Sequence, residues 1–199
     1  MATFIMLPDG VTGTNQWQND GNEPATANHV DNDDGGTQYI YETAHSHEIT
    51  FTLAAPSVSS GAIDSITSVQ IIMSAAYTAG TGSTTRVLSY QTGGSISNGF
   101  TVHNILSGGS YQTYSGNVES YSIGTTNWTY SDLEDLQIKL DKIANTASRT
   151  SVRVSYLYAL VTYVEAVGYG HAVLGVAAGS IGKVNSVSTA NLGKVIGVD

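Results

Sequence analysis

Hard oxygen donors are concentrated in Asp31, Asn32, Asp33 and Asp34, with Glu42 following on the next strand. Carboxylates and amide carbonyls are the ligands Ca²⁺ takes, so Asp31, Asp33, Asp34 and Glu42 are the candidates for a structural ion pinning an irregular segment. The run lacks the glycine and the terminal glutamate of an EF-hand loop, and Asp and Asn also serve as ordinary turn residues. A solvated loop is therefore the plainer reading, and no other cofactor is expected. His45 and His47 lie two apart beside Glu48. Zinc needs three or four donors, and His29, His103 and His171 have no spacing that recruits them, so a polar hairpin loop is favoured over a metal site.

Catalytic constellations are harder to assemble. The chain has no cysteine, no G-x-S-x-G elbow, no Walker loop and no dinucleotide fingerprint. Asp132, Glu134, Asp135 and Asp141 supply carboxylates, but Asp135 and Asp141 read as outward residues flanking a buried strand. On these grounds the sequence is read as not encoding an enzyme. The aromatic residues say more: Tyr111, Tyr114, Tyr121, Trp128 and Tyr130 could stack on sugar rings while Asn, Gln and Asp fix hydroxyl groups. They are the candidate glycan-binding set. The alternative is that these rings cap a sandwich or meet a protein partner.

The elements that must position such residues are strands. The 199 residues are 41% hydrophobic, enough for a core in one sizeable domain, but only 12% charged, about half the usual share. Ser, Thr, Asn, Gln, Gly and Tyr must cover much of the surface. The formal charge of −9, with seven basic residues dispersed along the chain, argues against nucleic-acid binding and against an anionic membrane. Neither end reads as a signal peptide or membrane span: Pro8 breaks the first apolar stretch, and Glu165, His171 and several glycines interrupt Val161 to Ile181.

Residues 1–36 show little periodicity, with Trp17 as their one large anchor, and are expected to pack on the domain or a neighbour. From residue 37 to 167 the pattern is β. Glu48 to Leu53 alternates cleanly, with Ile49, Phe51 and Leu53 on one face. Ile63 to Met73, Arg86 to Tyr90, Phe100 to Leu106 and Leu136 to Leu140 follow as strands, and Ser131 with Glu134 offers a capping box for one helical turn. Ser151 to Ala166 is the strongest strand; strict alternation groups Val152, Val154, Tyr156, Tyr158, Leu160 and Thr162 on one face. The expectation is an all-β, two-sheet antiparallel sandwich, with a jelly roll favoured over an immunoglobulin-like winding.

Residues 168–199 form a glycine-rich arm in which Ser180 to Val187 (SIGKVNSV) is echoed by Asn191 to Val198 (NLGKVIGV). Such short apolar copies can be buried only against another surface. Ile181, Lys183, Val184, Val187, Leu192, Lys194, Val195 and Val198 are the candidate assembly residues, lying along a partner's groove or sheet edge. The alternative is that the arm folds back over its own domain.

LeuProAspGlyVal near the start, AspAspGlyGlyThrGlnTyrIle at Asp33 to Ile40, IleAspSerIleThrSerValGln at Ile63 to Gln70, TrpThrTyrSerAspLeuGluAspLeuGlnIle at Trp128 to Ile138 and the terminal GlyLysVal repeats carry a resemblance. In this order the chain resembles β-sandwich virion proteins of tailed phages. The resemblance implies a capsid decoration, head-fibre or tail-associated protein, made in the host cytoplasm, present in the virion and extracellular after release. The partners it implies are copies of itself and a capsid or tail protein. A free-standing carbohydrate-binding module or host-glycan adhesin is the alternative. The second repeat has Ile196 where the family tail has Asn, and the first has Ser186 where it has Gly.

Overall fold

The computed structural model describes residues 1–42, 47–78, 84–92, 95–96, 101–105, 110–123, 125–142, 151–166, 183–184 and 187–188. In chain order these form β1 (Ala2–Met6), β2 (Pro8–Thr12), β3 (Gln18–Asn19), β4 (Ile40–Glu42), β5 (Glu48–Leu53), β6 (Ile63–Thr78) and β7 (Thr84–Thr92). There follow β8 (Ser95–Ile96), β9 (Thr101–Ile105), β10 (Gln112–Glu119), β11 (Tyr121–Ile123), β12 (Thr126–Asn127) and the helix α1 (Tyr130–Glu134). The last are β13 (Gln137–Lys142), β14 (Ser151–Glu165), β15 (Lys183–Val184) and β16 (Val187–Ser188).

Two six-stranded antiparallel sheets make the body. One runs β10-β6-β14-β4-β3, with β1 also on β14; the other runs β2-β5-β13-β7-β8, with β9 also on β7. Their inner faces share one core: Ile49, Phe51, Ile138 and Leu140 from the second sheet, and Met73, Val154, Leu157 and Val161 from the first, are all fully buried or nearly so. The expected sandwich is thus present. Its chain path alternates between sheets, β4 to β5, β5 to β6, β6 to β7, β9 to β10 and β13 to β14 each crossing over. The strand orders that result include β4-β14-β6-β10 in the first sheet and β5-β13-β7-β9 in the second.

The alternation expected for β14 does not hold along its whole length. Val152 and Val154 face inward, but so do Leu157, Ala159, Val161 and Tyr163. The register explains the switch: Val154 pairs with Ala75 and Tyr156 with Ser74, so Ser155 is an extra residue in a β-bulge. One inserted residue exchanges the two faces of everything beyond it. Tyr156, Tyr158 and Leu160, read from strict alternation as companions of Val152, therefore lie on the outer face. The amide of Leu157 donates to the carbonyl of Val30 at 2.9 Å, so an N-terminal residue completes the ladder beside the bulge.

Residues 1–36 are accordingly less irregular than expected. They contribute β1 to one sheet and β2 to the other, and they bury Trp17, Ala25, Ala27 and Val30 in the common core. The indole of Trp17 donates to the carbonyl of His47 at 3.3 Å. The helix α1 is capped two residues earlier than expected: Thr129 and Asp132, not Ser131 and Glu134, form the capping box. In the terminal segment the described residues pair antiparallel, Lys183 opposite Ser188 and Val184 opposite Val187.

Ser155 is 1% exposed and its hydroxyl has no hydrogen-bond partner among the described residues. Ser155→Ala removes an unsatisfied buried group, so its stability should be unchanged or raised by up to about 1 kcal/mol in urea unfolding. A loss larger than that would contradict the assignment. Trp17→Ala should cost about 3–5 kcal/mol in the same measurement, as for a large core aromatic, if residues 1–36 are integral to the core.

Candidate functional site

The outer face of the first sheet carries an open depression of about 200 Å³ lined by Asp20, Asn22, Tyr39, Tyr41 and Arg153. Three local structures assemble it. On β14, Arg153 stands opposite Tyr41 of β4, its neighbours Val152 and Val154 pointing into the core. Next to β4, a tight turn links Gln18 and Asn19 to Pro24: Asn19 Oδ1 accepts from the amides of Gly21 and Glu23, and Asn22 adopts a left-handed φ of 63°. Non-glycine residues take that conformation infrequently, Asn among the more readily. Here it sets the Asn22 carboxamide over β4, where its oxygen accepts from the Tyr41 hydroxyl, which also reaches Gln18 Oε1.

The third structure is the loop before β4. Asp34 accepts through one carboxylate oxygen from the amides of Gly36 and Thr37, both at 3.0 Å, and through the other from Gln38 at 2.8 Å. Gly35 and Gly36 have φ of 71° and 88°, conformations that favour glycine. A Cβ at Gly36 would overlap the Tyr111 ring, so the loop lies flush on that ring. This packing delivers Tyr39 to the depression.

The electrostatics centre on Arg153. Its guanidinium lies 4.3 Å from the centre of the Tyr39 ring, a cation–π arrangement. Among the described residues, no carboxylate is within ion-pair distance of it. Asp20 lines the same depression and is 3.5 Å from His29. Tyr39 and Tyr41 present tilted rings 6.3 Å apart. The depression therefore offers ring faces, a cationic donor fork, a carboxylate acceptor and the carboxamide of Asn22. That mixture suits a neutral polyhydroxylated ligand, whose C–H faces lie on rings while hydroxyl groups bridge donor and acceptor.

Tyr111 stands beside this group. Its hydroxyl is buried and has no hydrogen-bond partner among the described residues. Burial pushes its phenol up to about 12, Arg153 opposing this and Tyr39, Asp34 and Asp20 adding to it. A second, smaller depression of about 90 Å³ lies on the same sheet, lined by residues that include Asp33, Ser74, Thr113, Tyr156 and Tyr158. The Tyr156 phenol is raised by burial first, then by Tyr158 and Asp33.

The residues singled out from sequence are dispersed. Trp128 is 5% exposed and belongs to the core, its indole donating to the Glu119 carbonyl at 2.9 Å. Tyr130 donates to the Val58 carbonyl at 3.0 Å, Tyr114 packs partly against the core, and Tyr121 is exposed. Of that set only Tyr111 adjoins the depression. The carboxylates Asp31, Asp33, Asp34 and Glu42 also part company: Asp34 organises its own loop, Asp33 lines the smaller depression, and buried Glu42 pairs with His47 Nδ1 at 2.8 Å. Among the described residues no three His, Asp or Glu side chains gather as a metal site. His45, Ile181, Leu192, Lys194, Val195 and Val198 lie outside the described residues; Lys183 and Val184 lie on β15 and Val187 on β16.

Sequence reading missed Tyr39, Tyr41, Asn22 and Arg153 as a group. The available signals were a lone arginine inside an apolar strand and two tyrosines at strand spacing; only the pairing of β4 with β14 joins them.

No protein-family description matches the chain, and no curated protein sequence matches it. Among solved structures it is similar to the crystal structure of the bacteriophage CBA120 tailspike protein 4 enzymatically active domain. The identity is 12% and the TM-score 0.40, over 79% of this chain and 19% of that one. The chain thus spans about a fifth of the tailspike chain's length. That domain is described as enzymatically active, so the exclusion of enzymes drawn from sequence is withdrawn; a likeness of this degree carries no activity across. No helix among the described residues is long and apolar enough to cross a membrane.

The Tyr111 environment has a pH consequence. Its phenol titrates at about 12 in the folded chain against 10.0 unfolded. The folded state therefore favours the neutral form, a contribution fully present below pH 10 and lost as pH rises towards 12. Ultraviolet titration of tyrosinate should show one group ionising late, and Tyr111→Phe should abolish that step and flatten the loss of stability between pH 10 and 12. An unchanged titration in Tyr111→Phe would refute the assignment.

Proposed function

We propose that this chain is a β-sandwich protein of a tailed-phage particle that binds saccharide through the outer face of its first sheet. The observation that carries the saccharide reading is the Tyr39, Tyr41 and Arg153 depression, where an arginine that has no carboxylate within ion-pair distance among the described residues stands among half-buried rings and amide and carboxylate groups. The particle reading is supported by the sequence resemblance to virion sandwiches and by a surface poor in charge. Assembly through the arm from Gly179 to Asp199, onto copies of the chain or onto a capsid or tail protein, belongs to the same proposal.

The two halves separate experimentally. On an array of bacterial surface polysaccharides, the full-length protein should give signal that Tyr39→Ala and Arg153→Ala each reduce at least about tenfold, a loss of about 1.4 kcal/mol. Signal indifferent to both substitutions would place binding elsewhere, and absence of signal would overturn the saccharide reading. Deleting residues 179–199 should leave the cooperative unfolding of the body intact while removing the protein from purified particles. Unchanged incorporation would refute the role given to the arm.

A further inference from the structure

The two depressions on the first sheet are consecutive. Residues 153 and 156 would point to opposite faces of a regular strand, because their separation is odd. The bulge at Ser155 brings both outward. Arg153 pairs with Ala76 and Tyr156 with Ser74, two positions apart on β6, so the side chains are spaced by about 7 Å along the sheet. That spacing is comparable to the length of a sugar unit. Tyr158, opposite Ile72, continues the outward row, and its ring centroid lies 5.0 Å from that of Tyr156.

The loop before β4 edges both depressions. Asp33 lines the smaller one, and Asp34 organises the turn that carries Tyr39 into the larger. Tyr111, its ring against Gly36, directly precedes β10, whose Thr113 pairs with Ser74 and lines the smaller depression. One run of surface thus passes from Tyr39 and Arg153 to Tyr156, Tyr158 and Asp33, with aromatic faces at both ends and a carboxylate beside each. This repetition of ring and hydrogen-bonding group is what successive units of one polymer require.

Resting on the saccharide reading above, we infer that the Tyr156, Tyr158 and Asp33 depression is a second subsite, and that the ligand is an extended saccharide chain lying along β14. A single sugar would occupy only the Arg153 end.

The test compares fragments of one polysaccharide. For whichever bacterial surface polysaccharide the array identifies, fragments of two and of six sugar units are titrated calorimetrically against the full-length protein. The six-unit fragment should bind about tenfold more tightly or better, the gain expected from one or two further ring contacts. Asp33→Ala, at an exposed loop position, and the double variant Tyr156→Thr, Tyr158→Thr should each reduce that gain without changing affinity for the two-unit fragment. Equal affinity of wild-type protein for both fragments would overturn the second subsite and leave the first standing; this comparison needs no variant to fold. A gain that survives the substitutions would also overturn it. Absence of binding by every polysaccharide would instead remove the saccharide reading itself, and this inference with it.

Discussion

A single extra residue in β14 decides which side chains this protein hides and which it shows. Without Ser155, the run from Tyr156 to Glu165 would present Tyr156, Tyr158 and Leu160 to the core and Leu157, Ala159 and Val161 to solvent. With it, Leu157, Ala159 and Val161 fill the space between sheets while Tyr156 and Tyr158 line the outside. The two long central strands, β6 and β14, share fourteen register partners, so the exchange of faces propagates across the sheet. The isolated hydroxyl of Ser155 is a local cost of about 1 kcal/mol at most, set against correct burial of an entire half-strand.

The bulge also explains why the N-terminal segment is part of the body. Between β1 and β4, the edge of β14 would leave amides exposed beside the irregularity. Val30 occupies that gap, buried completely and accepting from Leu157. The same segment is tethered at Trp17 and in the hairpin around Asn22, so the residues that close the core also bring the Asn22 carboxamide to Tyr41. Packing and surface chemistry are coupled through one stretch of chain.

Much of the fold was legible in the residues, for reasons that vary by element. In β5, polar and apolar positions alternate because one face is wet, and Ile49, Phe51 and Leu53 are buried as that pattern requires. In β14 both faces are apolar through the second half, so a one-residue slip leaves no mark on hydropathy. β10 was not marked as a strand because Gln112, Thr113, Ser115, Gly116 and Asn117 carry no period, and Tyr114 is the one aromatic it turns towards the core. The depression was hidden for a different reason. Tyr39 and Arg153 are distant in sequence and meet only through strand pairing, whereas the cluster from Tyr111 to Tyr130 is close in sequence and dispersed in space.

β10 has one further consequence. Among the described residues it ends the first sheet, with β6 on one side and no strand on the other. A flat terminal strand is a template for uncontrolled polymerisation, a serious hazard for any protein held at high local density. Here the register slips between Ser115 and Val118, with Gly116 at the irregularity, and the Gln70 side chain takes the Gly116 carbonyl at 2.9 Å. The outermost strand is bent, and one of its backbone acceptors is already capped from within. A second copy arriving edge-on finds an interrupted ladder, which protects the folded chain against fibril growth at that margin.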